Sequence, residues 1–161
     1  KLLREYPFIS GIDLDIEESV SINDVKKFIN QLIKDFGENF TITMAPVSYA
    51  LMNDSSGLGG FSYKELYNSP EGKHINWFNT QCYGSYTLDT YDKIIKNGYP
   101  ADKIVFGMLG GDYTDFTESM TEIKKVKEKY NDMKGVFVWE YIQSPPDKKD
   151  PSEWCKIMKC I

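Results

Sequence analysis

Along residues 12–17 apolar and acidic side chains alternate: Ile12, Asp13, Leu14, Asp15, Ile16, Glu17. A period of two predicts an extended strand, here over 8–17, with three carboxylates on one face and three aliphatics on the other. The period then changes. Val25, Phe28, Ile29, Leu32, Ile33 and Phe36 recur at helical spacing, between a Ser21–Asp24 capping pair and a Gly37 stop. Short apolar runs over 40–46, 75–83, 103–109 and 135–141 read as further strands. Helical patterns lie over 62–68, 87–98 and 116–130, and a closing helix over 150–161 has Pro151 near its start. Gly57, Gly59 and Gly60 fall in a long loop that reads as a flexible connector, with a substrate-side lid as the alternative.

Strands and helices therefore alternate from end to end, with strand starts roughly thirty residues apart. That is the length of a βα unit, so the class is α/β and the sheet parallel. Two architectures fit: an open doubly wound sheet and a (β/α)8 TIM-type barrel. No G-x-G-x-x-G follows the first strand, as a dinucleotide site would require. Polar and aromatic residues instead gather where strands end: Glu17, Met44, Gln81, Tyr83, Trp139 and Glu140. Barrel active sites lie at that end. Five βα units in 161 residues are too few for a closed barrel, so the sheet is open or the chain is the later part of a barrel.

Charge changes the picture by exclusion. A net charge of -5 and a pI near 5.0 leave no basic stripe for nucleic acid. No run of about 18 apolar residues exists, so no membrane span is expected. The chain opens on "KLLREYPF" without Met and reads as a fragment, so the lack of a leader there decides nothing. Cys82, Cys155 and Cys160 form neither a disulfide framework nor a metal spacing. The single His74 excludes a His-based zinc site and leaves no His-dependent triad in view. Two N-x-S/T sequons, at Asn39 and Asn53, are chance matches unless the protein is secreted. An EF-hand reading of the acidic segment lacks the glycine at the sixth loop position. As a strand face alone, the three acids are as compatible with solvent as with a site. Inside a parallel barrel they would be costly unless paired or used.

"GIDLDIEE" resembles the D-x-x-D-x-D-x-E signature of glycoside hydrolase family 18, the chitinases and endo-β-N-acetylglucosaminidases. It supplies Asp13, Asp15 and Glu17, with Ser10 where the first Asp would stand. "ITMAP" is similar to that family's fifth strand, "WFNTQCY" to the sixth, "KIVFGM" to the seventh and "GVFVWEY" to the eighth. The resemblance implies a (β/α)8 barrel of which residues 1–161 hold the last five units, strands four to eight, as a single partial domain. The first three strands have no counterpart, and Val47 follows "MAP" where an acid is common. The rest of the barrel is expected on the same polypeptide or on a second chain.

The same resemblance implies hydrolysis of β-1,4 links at N-acetylglucosamine, in chitin or a related glycan, by a substrate-assisted retaining route. Glu17 takes the general-acid position, with Asp15 as acetamide partner and Asp13 behind it. Gln81 and Tyr83 take the positions that reach the N-acetyl sugar, and Trp139 the platform beneath it. Met44 falls among the substrate-side residues, at the base of the pocket. Trp77 and Trp154 read as packing residues. No cofactor or metal is implied, and the family favours secretion. The rival expectation is a chitinase-like protein that binds glycan, or serves a larger assembly, without cleaving. Retention of an acid at position 17 weighs against it.

Overall fold

The computed structural model describes residues 2–112 and 116–161. A short helix α1 (Leu2–Glu5) precedes strand β1 (Gly11–Leu14), helix α2 (Ile22–Phe36) and strand β2 (Thr41–Met44). Two short helices, α3 (Ser48–Met52) and α4 (Tyr63–Tyr67), lead to β3 (Ile75–Gln81), followed by α5 (Leu88–Lys96) and β4 (Ile104–Leu109). Helix α6 (Phe116–Lys129), β5 (Gly135–Trp139) and α7 (Ser152–Met158) complete the order.

The five strands form one parallel sheet in the order β1-β2-β3-β4-β5, so every strand lies beside its neighbour in sequence. Parallel pairing needs a crossover each time, and the intervening helices supply it. The sheet's helix-facing side carries Leu14, Met44, Phe78 and Phe106, all buried. Against it pack Val25, Ile29 and Leu32 of α2, Leu51 of α3, Leu66 of α4, Tyr91 and Ile94 of α5, and Ile123 and Val126 of α6. The opposite side is open: Asp13 is exposed and Trp139 is 59% exposed. β1 and β5 are the sheet's two edges, each paired on one side among the described residues.

The Ser21 cap forms as its spacing predicts. Its hydroxyl oxygen accepts the Asp24 N–H at 3.2 Å, satisfying one of the orphan donors that begin α2. Ser21→Ala is expected to lower stability by about 1 kcal/mol, read as a smaller urea midpoint at unchanged slope.

Three expectations are corrected. The first strand is shorter than 8–17: ladder pairing covers only Gly11–Leu14, because β2 on its one paired side offers only Thr41–Met44. The segment after β2 is helical over Ser48–Met52, where Ser48, Ala50 and Leu51 are buried. The glycine loop is not a loose connector: Gly57 and Gly59 are buried and the Gly57 N–H donates to Phe61 O at 3.1 Å.

Candidate active site

The register decides which side chains meet. Asp13 on β1 pairs with Thr43 on β2, Thr43 with Trp77 on β3, Gln81 with Gly107 on β4, and Leu109 with Trp139 on β5. With a period of two, Asp13, Thr43, Trp77, Asn79, Gln81, Phe137 and Trp139 share the open side of the sheet. Asp15 and Glu17 continue that face beyond the end of β1, and Tyr83 does so beyond β3.

Asp13 is held by two donors. The Thr43 hydroxyl donates to its Oδ1 at 2.5 Å, and the Asn79 amide donates to the same oxygen at 3.1 Å. Asn79 is oriented in turn by the Trp77 indole N–H, 3.0 Å from its Oδ1. Gln81 Nε2 donates to Asp15 Oδ1 at 3.3 Å and to the Ala45 carbonyl at 2.8 Å, which tethers Asp15 to the end of β2. Among the described residues, no hydrogen bond or ion pair restrains the Glu17 carboxylate, which is exposed.

Two adjoining cavities, of about 300 and 310 Å³, share Asp15, Gln81, Tyr83 and Trp139. Asp13, Asn79 and Phe137 line the first and Glu17 the second. Each reaches the lower end of the range of small-ligand sites. Among the described residues no group of three His, Cys, Asp or Glu side chains is placed to hold a metal ion. No helix among them is long and apolar enough to cross a membrane.

The electrostatics follow from the crowding of acids. Partial burial first, then the charges of Glu17 and Asp13, raise the Asp15 pKa from its ordinary 3.8, against the lowering hydrogen bond from Gln81. Tyr83 is pushed up to about 12, by burial first and then by Asp15, Cys82 and Glu17, so its O–H remains a donor at neutral pH. Cys82 is buried and pushed up to about 12, which leaves it a thiol and no nucleophile.

The raised Asp15 value has a signed consequence. Between 3.8 and its higher folded value, the folded chain holds a proton that the unfolded chain has released. Stability contributed by this group is therefore present below pH 3.8 and lost as pH rises through the folded pKa. Asp15→Asn is expected to flatten that decline, seen as a smaller fall of Tm between pH 4 and neutrality than in the parent.

The structure brings Asp13, Asp15, Glu17, Gln81, Tyr83 and Trp139 to one mouth. Met44 is not among them. It pairs with Leu14 and Phe78 on the helix-facing side and has no exposed surface. In "TITM" both threonines and both hydrophobes alternate, and the register sends Thr43 to the site and Met44 to the core. Thr43 and Asn79 are site residues that the sequence reading missed. Their only signal is a period of two: Asn79 with Trp77 and Gln81, Thr43 with Thr41. Trp154 is buried as expected, whereas half-buried Trp77 also serves Asn79.

A parallel βα sheet with acids, an amide, a tyrosine and a tryptophan at the C-terminal ends of its strands has the layout of part of a (β/α)8 barrel with its site at that end. A scan of protein-family models and a search of curated proteins find no match to the chain. Solved structures do match. A fungal endo-β-N-acetylglucosaminidase from glycosyl hydrolase family 18 is 35% identical, with a TM-score of 0.84 over 98% of this chain and 58% of its own. A chitinase from Aspergillus fumigatus is 29% identical, with a TM-score of 0.81 over 99% of this chain and 60% of its own. The catalytic domain of a family 18 chitinase from the fern Peteris ryukyuensis shares the fold at 15% identity, TM-score 0.68, over 98% and 59% of the two chains. The chain is thus similar, in fold and in sequence, to part of a glycosyl hydrolase family 18 domain. It spans less than two thirds of the length of these structures.

Proposed function

We propose that residues 1–161 are one piece of a barrel that cleaves β-1,4 linkages at N-acetylglucosamine, with retention of anomeric configuration. The observation that carries this reading is the cluster itself: Asp13, Asp15 and Glu17 in line, with Gln81, Tyr83 and Trp139 around the same cavities. Glu17 donates its proton to the leaving glycosidic oxygen as the bond to the anomeric carbon breaks. The substrate's own acetamido oxygen forms the replacing bond on the opposite face, giving an oxazolinium. Water then opens that ring and gives its proton back to Glu17, restoring the acid. The unrestrained, exposed Glu17 suits a group that must meet substrate and water in turn.

Asp15 accepts the acetamide N–H and faces the cation. Burial, then the charges of Glu17 and Asp13, raise its pKa, a crowding of negative charge that a cation forming beside it would relieve. Asp13, fixed by Thr43 and Asn79, supports Asp15 from behind. Tyr83 donates to the acetamido oxygen, Gln81 contacts the sugar, and Trp139 offers an apolar face beneath the ring.

A fluorogenic chitobioside is the test substrate, beside the matching cellobioside, in which a hydroxyl replaces the acetamido group. Cleavage of the first alone, with the β-anomer appearing first by proton NMR, is the expected result. Equal cleavage of both would overturn substrate assistance. The 59% exposure of Trp139 gives a second reading: a glycan-binding chain without turnover, identified by chitooligosaccharide binding in the absence of cleavage.

A further inference from the structure

Beyond Leu14 the main chain leaves the sheet, and Glu17 sits on a segment with no strand beside it until α2 begins. Besides the Gln81–Asp15 hydrogen bond, a backbone contact catches that segment. The Val20 N–H donates to the Gly59 carbonyl at 3.0 Å. On the other side of Glu17, Ile16 lies against the Gly59 α-carbon. A Cβ at Gly59 would stand 2.8 Å from both Ile16 Cγ2 and Phe61 Cε1, closer than real Cβ atoms come, and 3.2 Å from the Ile16 carbonyl oxygen. Gly60, at φ 77°, faces Ser19, whose Oγ would be 3.2 Å from an added Cβ. Three residues of the segment, Ile16, Ser19 and Val20, thus meet two consecutive glycines.

The turn that carries those glycines is itself fixed. The Gly57 N–H donates to Phe61 O at 3.1 Å and the Gly60 N–H to Gly57 O at 3.0 Å. Ser56 and Ser62 close it with an antiparallel bridge. Phe61 and Tyr63 anchor it in the core, both buried, with ring centroids 4.8 Å apart.

We propose that residues 57–61 form a rigid strap that positions Glu17, and that Gly59 is a positioning residue for the hydrolysis. Only glycine brings the strap close enough to hold the main chain on both sides of the proton donor. The inference rests on the reading of Glu17 as that donor, but its structural half can be judged separately.

Four variants test it: Gly59→Ala, Ile16→Ala, the two together, and Gly37→Ala as a control. Gly37 caps α2 at φ 88° with open space around it, so alanine there strains the backbone without touching the strap. In Gly59→Ala the backbone amide signals of residues 15–20 should move and kcat should fall about a hundredfold, with KM changed less than about twofold. In the double variant Ile16 Cγ2 is gone but Phe61 Cε1 still crowds the new Cβ, so kcat should recover only in part toward that of Ile16→Ala. Gly37→Ala should lower Tm and leave both readouts unchanged. In the parent, the Val20 amide should be protected from hydrogen exchange, which needs no variant to fold. Unmoved 15–20 signals in a folded Gly59→Ala, or an unprotected Val20 amide, would each overturn the strap. If the parent shows no turnover, the hydrolase reading falls, while the amide shifts and exchange still decide whether the strap holds that segment.

Discussion

Glu17→Gln is expected to lower kcat on a fluorogenic chitobioside about a thousandfold and to leave KM within a few-fold of the parent. The amide keeps the shape of the carboxyl group and cannot deliver a proton to the departing oxygen. Gln81, Tyr83 and Trp139, which would carry the binding, are untouched. The size of the loss should depend on the leaving group. An aryl oxygen needs less protonation to leave than a sugar hydroxyl does, so chitotetraose should suffer more than the aryl substrate. Steady-state rates on both substrates check this, and equal rates for parent and variant on either would remove Glu17 from the chemistry. Binding of chitooligosaccharide by both proteins without turnover by either would favour the glycan-binding reading. Neither binding nor turnover would favour a structural part of a larger assembly.

Phe78→Ala is expected to destabilise the chain by about 3–5 kcal/mol, read from urea unfolding. Phe78 has no exposed surface and sits at mid-sheet. Its ring meets three tyrosines: Tyr99 at 5.5 Å, Tyr67 at 5.9 Å and Tyr63 at 6.4 Å between centroids. Alanine leaves a void that three anchored rings cannot fill without tilting away from one another, so relaxation is limited. Tyr63 also anchors the glycine strap, so part of the damage should reach the Glu17 segment. Since folded domains are stable by only about 5–15 kcal/mol, this one change is expected to consume a large share of the total. A loss under about 1 kcal/mol would mean that the aromatic cluster is not closely packed.

Most of the fold was legible because its two signals are strong and local. The alternation through Ile12 to Glu17 and the helical recurrence from Val25 to Phe36 each name an element without outside help. The strand-to-strand spacing then names the parallel sheet. The partners of the acids were legible only in part. Gln81, Tyr83 and Trp139 were marked by their place at strand ends and given roles by resemblance, and register brings them to the carboxylates. Thr43 and Asn79 carry no such mark, because a threonine or asparagine in a strand is chemically ordinary until a facing carboxylate is known. Met44 was misplaced for the same reason: an alternating segment has two faces, and only pairing says which one is inside. The glycine loop misled because flexibility and close approach call for the same residue.

A sheet whose spatial order repeats its chain order has a further consequence for how it comes apart. Each strand touches only those that precede and follow it, so cooperativity passes along the sheet as along a short row of dominoes. β3 stands in the middle of that row with a partner on either side, and β1 and β5 stand at the ends. Opening should begin at the ends, with amide protection highest in Ile75–Gln81 and falling outward in both directions. Among the described residues, the segment that carries Glu17 continues from one of the two strands that loosen first. That places a structural demand on the glycine strap: it holds in position an element that, among the described residues, the sheet grips from one side.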